Sequence, residues 1–192
     1  MKRSRICLCL ISALVLLAAI PVTPAAGAAT AGAATAGAAT AGAAVAAPTT
    51  SAVLVDGLEQ KFEAYCINGN NYFRLRDVAY ALRGTAKQFE AAYDPLNHHV
   101  VLTSNIAYTP IGGEMTISGL TGATAEPSSN EIYLDGVKVS LKAYVIRQTN
   151  YVKLRDIAAA IDFGVRYIAE TDTIEIDTSV GYTPDDPVIT FP

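Results

Sequence analysis

The chain has 192 residues, with 14 lysine and arginine residues, 18 aspartate and glutamate residues and two histidines. Residues 1–50 contain no acidic side chain, so residues 51–192 carry 11 basic against 18 acidic side chains, and such a surface repels nucleic acid. Two histidines, together with one cysteine after residue 9, are too few ligands for most zinc, haem and iron–sulfur sites.

Residues 1–26 are typical of a secretory signal peptide. Basic residues Lys2, Arg3 and Arg5 precede an apolar run over residues 6–22, and small residues follow. The alternative is an uncleaved membrane anchor, because the apolar run is about long enough to span a bilayer. In either case we predict that the protein is secreted or displayed at the cell surface.

Residues 27–51 form a low-complexity segment that repeats the pentad Ala-Gly-Ala-Ala-Thr. Such a segment has no large side chain to bury and cannot offset the entropy lost on ordering. We therefore predict a flexible linker. It either holds the folded part away from a surface or is a tolerated expansion of the repeat.

The rest of the chain is an internal repeat. Residues 53–82 align without gaps to residues 132–161, and 12 of these 30 positions are identical. The identical pairs are Asp56/Asp135, Gly57/Gly136, Ala64/Ala143, Tyr65/Tyr144, Ile67/Ile146, Asn71/Asn150, Tyr72/Tyr151, Leu75/Leu154, Arg76/Arg155, Asp77/Asp156, Ala79/Ala158 and Ala81/Ala160. After a five-residue insertion in the first copy, the match resumes with Phe89, Tyr93 and Tyr108 against Phe163, Tyr167 and Tyr182. We predict two homologous lobes.

The predicted lobes cover residues 52–110 and 131–184, with an inter-lobe linker at 111–130 and a tail at 185–192. In each lobe a short apolar strand meets Asp-Gly, a strong hairpin signal, and an alternating strand returns. A helical period and a second alternating hairpin follow. We predict an α+β fold of two tandem lobes, each an antiparallel sheet of about five strands in the order β-β-(β)-α-β-β, packed on one helix.

Two strings in the repeat, NYFRLRDVA at 71–79 and NYVKLRDIA at 150–158, are its most specific motifs. Together with the Asp-Gly hairpins and the Tyr-Thr-Pro segment at 108–110, they resemble the copper amine oxidase N-terminal-like, or stalk, domain family. That family occurs in tandem copies in exported proteins of Gram-positive bacteria. The resemblance implies an antiparallel sheet of about five strands wrapped on one helix.

The resemblance implies no oxidase activity, because the stalk lies apart from the copper and the quinone. The catalytic part of those enzymes needs three histidines, and this chain has only His98 and His99. It also needs a tyrosine followed by an acidic residue, whereas Tyr72 and Tyr151 precede Phe and Val. The Ser residues have no accompanying base or elbow motif. We predict no catalytic residue, no cofactor and no metal.

The polar pairs kept in both lobes are the first candidate ligand-binding residues: Arg76 with Asp77, and Arg155 with Asp156. One interpretation is an arginine presented to a carboxylate or sugar and oriented by the aspartate. The other is structural, with a helix-start aspartate that complements the helix dipole and an arginine that ties the strand–helix junction.

The repeated tyrosines are further candidates. If they are exposed, Tyr65, Tyr144, Tyr72 and Tyr151 form a platform on which sugars stack; otherwise their rings pack in the core. The pair His98-His99 could bind copper or nickel only weakly, and Cys66 is predicted to be a small core residue or to pair between molecules.

These observations predict a secreted or cell-surface, non-enzymatic structural or interaction module. Its expected partners are the cell wall, an extracellular glycan or another exported protein, and self-association is a further possibility. The alternative function is binding of cell-wall or extracellular glycan.

Overall fold

The structure, a computed structural model, describes residues 42–117, 119 and 121–184. The predicted signal peptide, residues 27–41 of the predicted linker and the tail at 185–192 lie outside the described residues. The described part is mostly β. Its strands are β1 (Ala44–Pro48), β2 (Ala52–Val55), β3 (Leu58–Glu59), β4 (Ala64–Ile67), β5 (Asn70–Arg74), β6 (Phe89–Asp94), β7 (His99–Ser104), β8 (Ala123–Pro127), β9 (Glu131–Leu134), β10 (Val137–Val139), β11 (Ala143–Ile146), β12 (Thr149–Lys153), β13 (Gly164–Ile168) and β14 (Thr173–Asp177). Its helices are α1 (Leu75–Ala81) and α2 (Leu154–Ile161).

A closed six-stranded barrel lies at the centre of the fold, in the order β1-β4-β5-β12-β11-β8. All of its neighbouring strands are antiparallel. The first repeat and the segment before it supply β1, β4 and β5, and the second repeat and the segment before it supply β8, β11 and β12. The two halves join at two seams, where Phe73 of β5 lies opposite Val152 of β12 and where Val45 of β1 lies opposite Thr124 of β8. Closure removes the exposed edges that each half-barrel would have alone.

Two four-stranded sheets flank the barrel, and each contains strands from both repeats. Their orders are β10-β9-β7-β6 and β13-β14-β2-β3. The repeats meet through parallel pairs, with Val100 of β7 opposite Ile132 of β9, and Ile174 of β14 opposite Val53 of β2. The first hairpin of each repeat therefore pairs with the last hairpin of the other repeat.

This exchange contradicts the predicted fold class. The chain is not two lobes that each pack a sheet on a helix, because the barrel and both flanking sheets are shared between the repeats. The predicted hairpins do form, at β2–β3, β6–β7, β9–β10 and β13–β14. The prediction was wrong about which strand lies beside each hairpin, because it placed that strand in the same repeat and the structure places it in the other one. Alternation of apolar residues shows that a strand has a buried face, but not which strand lies beside it.

The aspartates of the repeated Asp-Gly turns also form hydrogen bonds between the two repeats. Asp56 and Asp135 adopt positive φ angles of 49° and 51°, and each is followed by a glycine at positive φ, as a tight hairpin turn requires. The Asp56 carboxylate accepts bonds from the backbone N–H and hydroxyl of Thr178, both at 2.8 Å. Asp135 accepts the same pair of bonds from Ser104, at 2.9 and 2.7 Å. Each turn thus fastens one repeat to the other.

Strands β1 and β8 correct the predicted linkers. Ala44–Pro48 falls inside the predicted spacer at 27–51, and Ala123–Pro127 falls inside the predicted linker at 111–130. Both strands close the barrel, where Ala46 and Ala125 are fully buried. Alanine adds little to a hydrophobic pattern, so these strands resemble spacer in the sequence. Their small side chains leave room for larger ones inside the barrel.

The two predicted helices are confirmed, and they share one hydrophobic core. Leu75, Val78 and Ala79 on α1 are buried, as are their counterparts Leu154, Ile157 and Ala158 on α2. All six belong to one cluster that also contains buried residues of both flanking sheets. Within residues 42–117, 119 and 121–184, neither helix is long and apolar enough to cross a membrane.

Candidate functional site

The four repeated tyrosines fill the barrel. Tyr65 and Tyr151 meet edge to face with ring centroids 5.3 Å apart, and Tyr72 and Tyr144 meet in the same way at 5.1 Å. Ala46 and Ala125 belong to the same cluster. The two ring pairs correspond to each other under the repeat. Edge-to-face contact is a favoured geometry for aromatic rings and adds to the stabilisation from burial.

These tyrosines cannot form a sugar-stacking platform. Only 3% of Tyr72 and 2% of Tyr151 is exposed, and Tyr65 is fully buried. Burial, with smaller contributions from Tyr144 and Asp156, raises the pKa of Tyr72 to about 12, so its hydroxyl stays neutral. The condition for the platform, exposure of the rings, is therefore not met. Tyr72 and Tyr151 stabilise the barrel.

A buried polar network joins Tyr151 to the start of α1. The Tyr151 hydroxyl donates to Glu63 Oε1 at 2.9 Å, and Arg74 forms an ion pair with Glu63 Oε2 at 2.9 Å. Arg74 also donates to the backbone carbonyl oxygens of Gly113 and Thr116, at 3.1 and 3.0 Å. Charged groups out of water need such partners. This network fixes the loop after β7 against the barrel.

Asp77 belongs to this network and forms no hydrogen bond or close ion pair with Arg76. Its side chain is fully buried, accepts the Met115 N–H at 3.1 Å, and lies 3.5 Å from Arg74 Nε. Burial raises the pKa of Asp77, against the opposing effects of the Met115 N–H and of the charges on Arg74 and Arg76. These contacts fit the structural interpretation of Asp77, with Arg74 as the cation closest to its carboxylate and Arg76 acting from a longer distance.

Asp156 has the equivalent position in the second repeat. It accepts the Lys142 N–H at 3.0 Å and lies 3.7 Å from Lys153 Nζ, so it too contacts a cation other than the neighbouring arginine. Lys142 stands where the first repeat has Glu63, and Lys153 where it has Arg74. The second repeat therefore has no counterpart of the Glu63–Arg74 ion pair.

Arg76 and Arg155 lie in two equivalent surface grooves. The first, groove A, has a volume of about 560 Å³ and is formed by the start of α1, strand β6 and the β11–β12 turn. The second, groove B, has a volume of about 190 Å³ and is formed by the start of α2, strand β13 and the β4–β5 turn. The main side chains of groove A are Arg76, Glu90, Tyr93, Val100, Thr149 and Asn150. Those of groove B are Asn70, Asn71, Arg155, Val165, Tyr167 and Ile174.

Each groove combines an arginine and a tyrosine of one repeat with an asparagine of the other. Neither Arg76 nor Arg155 forms a hydrogen bond or ion pair with another described residue. The Tyr93 hydroxyl lies 3.2 Å from His98 Nδ1, and the Tyr167 hydroxyl donates to an oxygen of Asp172 at 2.9 Å. Each tyrosine is thus held by the turn of its own hairpin.

We singled out the arginines of the grooves from the sequence but not their tyrosines and asparagines, although the sequence contains a signal for these as well. Tyr93 aligns with Tyr167, and Asn71 with Asn150, so all of them are repeated. Repetition alone does not separate groove residues from core residues. The crossing of the repeats brings the asparagine of one copy to the arginine of the other, and this crossing was not predicted.

His98, His99 and Cys66 belong to no cluster of three or more potential metal ligands among the described residues. His99 contacts the Tyr133 ring at 4.7 Å and lies 3.6 Å from Asp94, and Cys66 is a buried thiol in the barrel wall. No group of three or more His, Cys, Asp or Glu side chains in the described part of the chain could hold a metal ion.

Comparison with known proteins finds no match among protein-family models, curated proteins or solved structures. The resemblance to the stalk-domain family therefore stays a prediction from the motifs.

Proposed function

We propose that the chain is a secreted or cell-surface interaction module without enzymatic activity, and that its two grooves attach it to the bacterial cell wall. The observation that carries the proposal is the duplicated groove. Packing accounts for the repeated leucines, alanines and barrel tyrosines, whereas Arg76 and Arg155 form no hydrogen bond and no close ion pair with another described residue. Recognition of an external ligand would explain why both repeats have an arginine at this position.

Two further features support attachment. The signal peptide predicted at residues 1–26 would export the chain, and the Ala/Gly/Thr segment after it would act as a tether. Two equivalent grooves on one body can engage two parts of the same polymer, which raises the overall affinity without further contacts. A cell wall is such a polymer.

Cosedimentation of the exported form of the chain with purified Gram-positive cell walls tests this proposal. We expect most of the protein in the pellet at micromolar concentration, and release by excess soluble wall fragments. Cellulose particles of similar size serve as the control for trapping. Recovery of the protein in the supernatant with walls, or equal recovery with cellulose, would contradict attachment. Sedimentation velocity on the same sample would then show whether the protein self-associates instead.

A further inference from the structure

We propose that groove A binds a carboxylate-bearing sugar of an acidic glycan, with Arg76 pairing with the carboxylate and Tyr93 stacking on the ring. This inference rests on the proposed function, because it names the chemical class of the polymer. The net negative charge of residues 51–192 opposes the binding of an anionic ligand, so Arg76 has to outweigh that repulsion locally. Groove A is the larger of the two grooves.

Arg76 is the observation that points to a carboxylate. The nearby cations Arg74 and Lys153 form ion pairs with carboxylates of the chain itself, but Arg76 forms no hydrogen bond and no close ion pair among the described residues, and its charge acts on buried Asp77 only from a longer distance. Its side chain is half-buried at the groove wall. A guanidinium group binds a carboxylate through two parallel hydrogen bonds, and partial burial reduces competition from water.

Tyr93 is the observation that points to a sugar ring. Its side chain is 51% exposed, although most tyrosines of this chain are buried or half-buried. The contact between the Tyr93 hydroxyl and His98 holds the ring in place on the hairpin. When a sugar stacks on the ring, the side chain therefore loses little further conformational entropy. The C–H face of a pyranose is apolar and packs well on an aromatic face.

Asn150 supplies hydrogen bonds for sugar hydroxyls. Its carbonyl oxygen accepts from the Ser128 hydroxyl at 3.3 Å and the Asn130 amide at 3.4 Å, which orients the group. The two N–H donors of its amide make no bond to another described residue. A sugar hydroxyl can accept from such a donor.

Glu90 argues against an extended peptide as the occupant. Strand β6 is an edge strand and could in principle accept another strand. However, Glu90 Oε1 accepts the Ala91 N–H at 2.9 Å, and Glu90 Oε2 accepts the Thr109 N–H at 2.9 Å. A charged side chain that covers an edge amide blocks strand addition.

Calorimetric titration with short oligogalacturonate, a chain of uronic acid sugars, tests the inference. Its methyl ester removes the charge and keeps the sugar, and an oligoglutamate of equal charge keeps the carboxylates on a peptide. We expect oligogalacturonate to bind at least tenfold more tightly than either comparison ligand. Tighter binding of oligoglutamate would assign the groove to a peptide and overturn the glycan class, whereas equal binding of the ester would remove the role of the carboxylate.

Substitutions assign the binding to groove A. Arg76→Gln should weaken oligogalacturonate binding at least tenfold and change the melting temperature little, because Arg76 forms no hydrogen bond or close ion pair among the described residues and acts on Asp77 only from a longer distance. Arg83→Gln is the matched control: it removes the same charge from an exposed arginine that stacks on Tyr80 at 4.5 Å. Tyr93→Phe should retain most of the affinity, and Tyr93→Ala should lose at least tenfold. Equal affinities of the Arg76→Gln and Arg83→Gln proteins would overturn the site.

The two proposals fail separately. If Arg76→Gln protein still cosediments with cell walls as wild type does and still binds oligogalacturonate, the groove A inference is wrong while attachment stands. If wild-type protein binds oligogalacturonate through Arg76 but stays in the supernatant with cell walls, the inference stands and attachment is wrong.

Discussion

Because the repeats share one core, a cavity in the second repeat should destabilise the first. Leu154 on α2 is 3% exposed and belongs to the cluster that contains α1 and both flanking sheets. Leu154→Ala removes a buried leucine side chain and should cost about 2–5 kcal/mol of unfolding free energy. We expect a single unfolding transition at a lower urea concentration. Leu75→Ala, the same change in the first repeat, should give a similar shift.

The thiol of Cys66 reports on the first repeat alone. It lies on β4, is 2% exposed, and is the only cysteine after residue 9. In protein without the leader, thiol labelling under native conditions requires opening of the structure around Cys66. A loss of 2 kcal/mol corresponds to about a 30-fold rise in the open population, at 1.4 kcal/mol per tenfold. Leu154→Ala should therefore accelerate Cys66 labelling by at least about 30-fold.

Independent lobes would give a different result. Leu154→Ala would then leave Cys66 labelling at the wild-type rate, and urea unfolding would separate into two transitions. Either observation would refute the shared core.

Three further predictions concern polar groups. Asp56→Ala removes two hydrogen bonds between the repeats and should lower the unfolding free energy by about 1–3 kcal/mol in urea denaturation. Tyr151→Phe should cost about 1–3 kcal/mol because buried Glu63 loses a donor, whereas Tyr72→Phe, whose hydroxyl makes no bond to another described residue, should cost less in the same assay. The pKa of Asp77 is raised in the folded state, so the native protein binds more protons than the unfolded chain just above the usual pKa of 3.8, and stability falls as the pH rises through that range. Asp77→Asn should lack this fall, and a difference between the two proteins that stays constant from pH 4 upward would contradict it.

Local signals in the sequence predicted the local structure. The apolar spacing at 75–82 predicts α1, and the Asp-Gly pair at 56–57 predicts the β2–β3 hairpin, because both patterns depend on residues a few positions apart. The repeat also placed Arg76 and Arg155 in equivalent positions, and they do lie in equivalent grooves.

The exchange of strands could not be read from these signals. Ala52 lies opposite Thr173 and His99 opposite Glu131, and alternation within a strand carries no information about such distant partners. The same limit applies to Tyr72, since a strand tyrosine facing solvent and one facing a barrel interior have the same local pattern. Each groove combines residues of both repeats, so the sequence could not predict which residues line a groove without predicting the exchange of strands.

The pairing of β2 with β14 also determines when the fold can be completed during synthesis. Because synthesis starts at the N-terminus and the predicted signal peptide leads export, the first repeat emerges, on either side of the membrane, before Thr173, the partner of Ala52. Until then β2 and β3 lack their sheet, and β5 lacks β12, its neighbour in the barrel. Contacts so distant in sequence form slowly. The first repeat therefore cannot complete its sheets or the barrel before the second repeat has emerged.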